Sequence, residues 1–87
     1  MKVTLSVNQR HIAEGRRYAA NACPIALALR DKGFTNVCVG NISANFIHKQ
    51  KVFTVTQLSE RAQKFIARVD GCKLVKPFRF QLTASAD

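Results

Sequence analysis

The stretch Cys23-Pro-Ile-Ala-Leu-Ala-Leu-Arg-Asp-Lys-Gly33 is the most apolar in the chain, and it carries its own start and stop. Pro24 suits the first turn of a helix, where its missing N–H has no intrahelical partner to lose. Gly33 suits the left-handed residue that ends one. Between them Ile25, Ala28 and Leu29 recur at helical spacing, and Arg30 and Lys32 sit near the negative end of the dipole. Ala26 and Ala28 let neighbouring backbones come close. The spacing predicts a short, buried helix, with Asn21 as its cap, against which the other elements must pack.

Only one such core fits. Eighty-seven residues, 47% of them hydrophobic, make a single domain over 1–87, and six Phe supply much of its interior. Residues 2–7 set Val3, Leu5 and Val7 against Lys2, Thr4 and Ser6, the alternation of a half-buried strand. Asn8 then caps a short helix over 9–14 that Gly15 closes. After Gly33 a β-branched run at 37–39 ends at Gly40, which reads as a bulge. Residues 41–47 place Ile42, Ala44 and Phe46 on one side. A polar hairpin loop at 48–50 follows, and 51–55 return with Phe53 and Val55 inward.

The clearest helix runs from a cap at Thr56 or Ser59 to Asp70. Leu58, Ala62, Phe65, Ile66 and Val69 make its apolar stripe, and Arg61, Lys64 and Arg68 lie on another face. Gly71 ends it. The last strand is expected over 74–82, with Leu74, Phe78, Phe80 and Leu82 facing in and Arg79 and Gln81 facing out. Pro77 delays its start or places it at an edge. Residues 83–87 are expected to fray. These elements predict an α+β domain: a single small antiparallel sheet with helices packed on one face. Their β-α-α-β-β(-β)-α-β order is related to the ferredoxin-like pattern.

Fourteen Lys and Arg oppose five Asp and Glu, a formal charge of +9. A field of that strength attracts nucleic acid, nucleotides, anionic membranes or acidic protein surfaces. No run approaches the ~20 apolar residues that span a bilayer, and the alternating N-terminus lacks the solid apolar block of a signal peptide. A cytoplasmic protein that does not enter a membrane is expected. Cys23, Cys38 and Cys72 form no CxxC pair. With only His11 and His48 beside them they offer neither zinc spacing nor a disulfide framework, so neither metal nor cofactor is expected.

Catalytic constellations are equally sparse. Glu14, Asp31, Glu60, Asp70 and Asp87 fall in helices, helix ends or the tail, as surface charges do, and His11 and His48 are expected to be exposed. Cys23 stands at a helix N-terminus, where a thiol pKa can be lowered, but no His-plus-acid pair accompanies it and its surroundings are apolar. Gly15, Gly33, Gly40 and Gly71 stand singly, so no phosphate-cradling loop is present. The expectation is a protein that binds without catalysing.

The basic clusters are the candidate partner- or polyanion-binding residues. Arg10, Arg16 and Arg17 with Tyr18 form one; Arg61, Lys64 and Arg68 form a second, which Lys73, Lys76 and Arg79 continue. Arginine offers planar, bidentate recognition of phosphate or carboxylate, and Tyr18 can stack on a base. The aromatic-rich strand of RNA-recognition modules is missing, since Lys51-Val-Phe-Thr-Val55 holds one aromatic. The linker between the two short N-terminal helices is too long for a helix-turn-helix.

Residues 9–33, with His11-Ile12 near a glycine and then Cys23-Pro-Ile-Ala-Leu-Ala-Leu-Arg30, resemble small proteins encoded by bacteriophages and prophages. Residues 62–70 followed by Val75-Lys-Pro-Phe-Arg-Phe80 are similar to their ending. The matching positions are a helix start, a core, a helix stop and a final strand, so the resemblance implies origin and fold and transfers no functional residue. Such phage proteins often bind and disable host machinery, anti-CRISPR and other anti-defence proteins being the sharpest example. For a small, strongly basic chain of that origin the expectation is an inhibitor that engages a bacterial nucleic-acid-targeting defence complex by protein–protein contact, in the host cytoplasm. Direct binding of nucleic acid or a nucleotide by the same cations is the alternative, and a Cys23-dependent enzyme is a distant third.

Overall fold

Alternation at the N-terminus produces the strand it predicts: β1 (Lys2–Val7) buries Val3, Leu5 and Val7 and exposes Lys2, Thr4 and Ser6. The computed structural model describes residues 1–86. It continues with α1 (Gln9–Glu14), α2 (Pro24–Asp31), β2 (Thr35–Val39), β3 (Ala44–His48) and β4 (Lys51–Val55). Then come α3 (Glu60–Asp70), β5 (Phe78–Thr83) and β6 (Ser85–Ala86). The class is α+β, as the element order predicts.

Helix α2 is the centre of the interior, with Pro24 in its first turn and Ile25, Ala26, Ala28 and Leu29 all buried. Its cap is the Cys23 thiol, which accepts the Ala26 N–H at 3.4 Å, and not Asn21. The reason is local: the N–H groups of Ala22 and Cys23 both donate to the Ala19 carbonyl, so Asn21 is used up in a turn ahead of the helix. Gly33 ends α2 as expected, at φ 96°. Its N–H donates to Arg30 and that of Phe34 donates to Leu29, the paired bonds of a left-handed helix stop. The turn drives Phe34 into the core, where its ring stacks on Phe46 at 4.3 Å.

The expected single sheet divides into two. β1 pairs antiparallel with β5, and the second sheet runs β2-β3-β4-β6. Every pairing among the described strands is antiparallel, but β1 pairs with β5 in a sheet apart from the β2-β3-β4 strands, so the one-sheet ferredoxin-like order, in which the first strand also pairs with the central hairpin, does not form. The division falls at Ala84, which separates β5 from β6 and is only 1% exposed. Ala84 exchanges both of its backbone hydrogen bonds with Met1, each at 2.8 Å. The chain then leaves β1, and Ser85 and Ala86 pair with Thr54 and Phe53 of β4. One continuous segment thus belongs to both sheets, whose buried side chains form a common core, and α2 packs against β1 and β2. The expected frayed tail is therefore strand as far as Ala86; Asp87 lies outside the described residues.

Four further expectations are corrected by backbone geometry. The bulge in β2 lies at left-handed Asn36 (φ 47°), between the Thr35 and Cys38 pairings, and not at Gly40. Asparagine tolerates that conformation, while the Gly40 N–H turns back onto the Ser43 carbonyl. That turn leaves Ile42 outside β3 and exposed rather than inward. The hairpin loop is only Lys49 and Gln50, both at positive φ (51° and 65°), and His48 belongs to β3, half-buried against Phe34. The last strand starts at Phe78, after Pro77, so Leu74 is exposed rather than core.

Candidate functional site

Helix α3 is built as the periodicity predicts. The Ser59 hydroxyl accepts the Ala62 N–H, Leu58, Ala62, Phe65 and Ile66 are buried, and Val69 is half-buried. Burying that stripe turns Arg61, Lys64 and Arg68 outward. The helix ends at Gly71 as expected, with the left-handed residue one position further on. Gly71 keeps a right-handed conformation, and Cys72 takes the left-handed one at φ 58°. The Cys72 N–H donates to Val69 and the Lys73 N–H to Arg68, which completes the stop.

This turn sends residues 73–77 back alongside α3 and opens a groove of about 420 Å³. Arg61, Lys64, Arg68 and Lys76 supply its charge; Phe65, Val75, Phe78 and Leu74 supply its apolar floor and lip. Leu74 is 90% exposed. Arg68 braces the wall by donating from Nε and Nη2 to the Leu74 carbonyl, at 3.3 and 2.9 Å. The Arg61 guanidinium lies 5.6 Å from the Phe78 ring centre, and Phe78 packs between Phe65 and Phe80. Lys64 is paired with Glu60 at 3.2 Å on the exposed helix surface, a contact of small energetic weight.

Of the sequence-predicted residues, Arg17 and Lys73 join this neighbourhood through an adjoining depression, and the Arg17 guanidinium contacts the Cys72 thiol. Arg17 also lies 6.0 Å from the Tyr18 ring centre. Tyr18 is 77% exposed, and its N–H donates to Asp70 at 2.9 Å. Arg16 is exposed on the loop, with its N–H bonded to Ala22. Two residues stand apart. Arg10 is tied to Glu14 and Asp31, which neutralise it locally and raise its pKa. Arg79 shares the outer face of β5 with Gln81, opposite to Phe78 and Phe80, because strand neighbours alternate.

Sequence reasoning missed His11. Expected exposed, it is 3% exposed, with Nδ1 accepting the Asn8 N–H at 3.0 Å and Nε2 2.6 Å from Asp31. The signal was the spacing Asn8-x-x-His11, in which His takes the place that Glu or Gln holds in a capping box. Both ring nitrogens are engaged, so the imidazole joins helices and has no lone pair left for a substrate proton. Cys23 is buried, and burial pushes its thiol pKa up, the reverse of an activated nucleophile. Among the described residues no helix is long and apolar enough to cross a membrane. No model of a known protein family, no curated protein and no solved structure matches this chain.

Proposed function

We propose that the chain is a non-catalytic basic binding protein whose groove beside α3 grips an acidic protein surface. The carrying observation is Leu74, 90% exposed at the lip of a groove that also holds Arg61, Lys64, Arg68 and Lys76. A purely electrostatic phosphate site gains nothing from an exposed leucine. A protein partner does, because burying one such side chain is worth roughly 1.5–3 kcal/mol. The groove's aromatic ring also favours protein over nucleic acid. Stacking a base requires an open ring face, whereas Phe78 is packed against Phe65 and Phe80 and faced by Arg61. Arginine-rich surfaces with an apolar centre are typical of protein interfaces.

In this reading the partner belongs to a bacterial nucleic-acid-targeting defence complex, and the chain is a phage or prophage inhibitor acting in the host cytoplasm. The size, the charge and the CPIALALR resemblance support that assignment. A second reading, direct nucleic-acid or nucleotide binding, draws on exposed Tyr18 beside Arg17. Pull-down from bacterial lysate with and without nuclease separates the two, together with oligonucleotide binding measured against salt. The proposal expects nuclease-resistant capture of an acidic protein and no oligonucleotide retention. Tight oligonucleotide binding that falls steeply with log salt would replace it by the second reading.

A further inference from the structure

The exposed surface of α3 has a second flank. At 100° per residue, Arg61, Lys64 and Arg68 lie on one side of the helix, and Gln63, Ala67 and Asp70 lie towards the other. That other side borders a depression of about 390 Å³, whose wall is formed by Tyr18, Asn41 and Ile42. Both apolar members of the wall are presented to solvent, Tyr18 at 77% and Ile42 at 56%. Tyr18 also holds a left-handed backbone at φ 57°, a conformation that is costly for an aromatic residue. It persists because Asp70, one turn above Ile66 on α3, accepts the Tyr18 N–H. The loop is thus clamped to α3 in a form that leaves the ring free.

Between the two flanks the ridge of α3 changes character along its length. Its first turns carry the Glu60–Lys64 pair, and its end carries Ala67 and Gly71, which are small and exposed. Small residues let a second helix approach closely. Cations and Leu74 lie on one side of that crossing point; on the other lies a largely apolar depression whose one charged side chain is Asp70.

Resting on the reading above, we infer that the docking face continues across α3. It receives one acidic amphipathic helix of the partner, which crosses at Ala67 and Gly71. Carboxylates of that helix meet Arg61, Lys64 and Arg68, and an apolar side chain enters between Tyr18 and Ile42. Charge complementarity selects an acidic face towards the cations, and the second depression, where Asp70 repels carboxylates and Tyr18 and Ile42 are apolar, selects the helix's apolar face.

The chain contains one Tyr and no Trp, so its intrinsic emission above the phenylalanine background reports on Tyr18 alone. The test is a titration of the whole protein with a helical Glu/Leu peptide of about 20 residues, long enough to hold helical structure. Binding is followed by calorimetry and by Tyr18 emission, with a scrambled peptide as control. The inference expects heat and emission to saturate together. It also expects Ala67→Gln, an exposed change, to weaken binding about tenfold, as loss of one interfacial anchor does. Heat of binding with silent Tyr18 emission, or equal binding of the scrambled peptide, would overturn the crossing helix and leave the basic groove standing. Absence of any heat would overturn both.

Discussion

His11 Nε2 lies 2.6 Å from a carboxylate oxygen of Asp31, and this contact fastens α1 to the last turn of α2. Asp31 is held below the usual carboxylate range, first by the His11 hydrogen bond and, among the remaining favourable contacts, by the charge of Arg10. Its folded pKa is below its unfolded value, so the contact stabilises fully above about pH 4 and is lost as pH falls through the folded pKa. Asp31→Asn is expected to flatten the acid limb of the stability curve while leaving its neutral shape unchanged. Urea midpoints measured between about pH 2 and 6 check this; superimposable acid limbs would count against it.

Cys72 occupies the left-handed position that ends α3, next to a glycine that does not use its freedom. Cys72→Gly is expected to raise stability by about 1 kcal/mol, since relief of the left-handed strain exceeds the loss of the Arg17 contact. A higher denaturant midpoint with unchanged slope is the expected signature.

The β3–β4 turn places Lys49 and Gln50 both at positive φ, the geometry that asparagine and glycine adopt most readily. The double change Lys49→Asn, Gln50→Gly is expected to stabilise the protein by about 1 kcal/mol. Thermal unfolding reads it directly, and a lowered Tm would contradict the turn assignment.

Gly15 is required for a different reason. Its φ of −69° suits any residue, but an added Cβ would stand 2.6 Å from Pro24 Cδ. Gly15→Ala is expected to cost about 1–3 kcal/mol, because the loop or the first turn of α2 must shift. Gly40, whose nearest such contact is 3.5 Å, is the control and is expected to tolerate alanine better.

Function should separate by face. Leu74→Asp or Arg61→Glu is expected to reduce binding of the Glu/Leu peptide at least about tenfold, with little change in stability, since both side chains are exposed. Arg79→Glu, on the outer face of β5, should leave binding within about twofold. Equal losses from all three would mean that net charge, and not the groove, attracts the partner.

Much of the fold is legible in the residues because it depends on near neighbours. The α3 stripe, the Pro24 start, the Gly33 stop and the alternation of β1 all lie within a few positions of the residues they order. Half of the groove is equally plain, for Arg61, Lys64 and Arg68 must share a side of any helix that buries Phe65 and Ile66. The outward Leu74 is not plain: alternation puts it inside, and only the left-handed Cys72 and the break at Pro77 turn it out.

Local pattern by itself determined the α+β class, the positions of its helices and the excess of positive charge. Tertiary structure decided the division into two sheets, the burial of His11, the exclusion of Arg10 and Arg79 from the groove, and the approach of Arg17 to Cys72. Those outcomes rest on contacts such as Met1 with Ala84, 83 positions apart, and Arg17 with Cys72, 55 apart. Periodicity records which side of an element is apolar, but it does not record which distant segment will cover that side. That choice is made when the whole core closes.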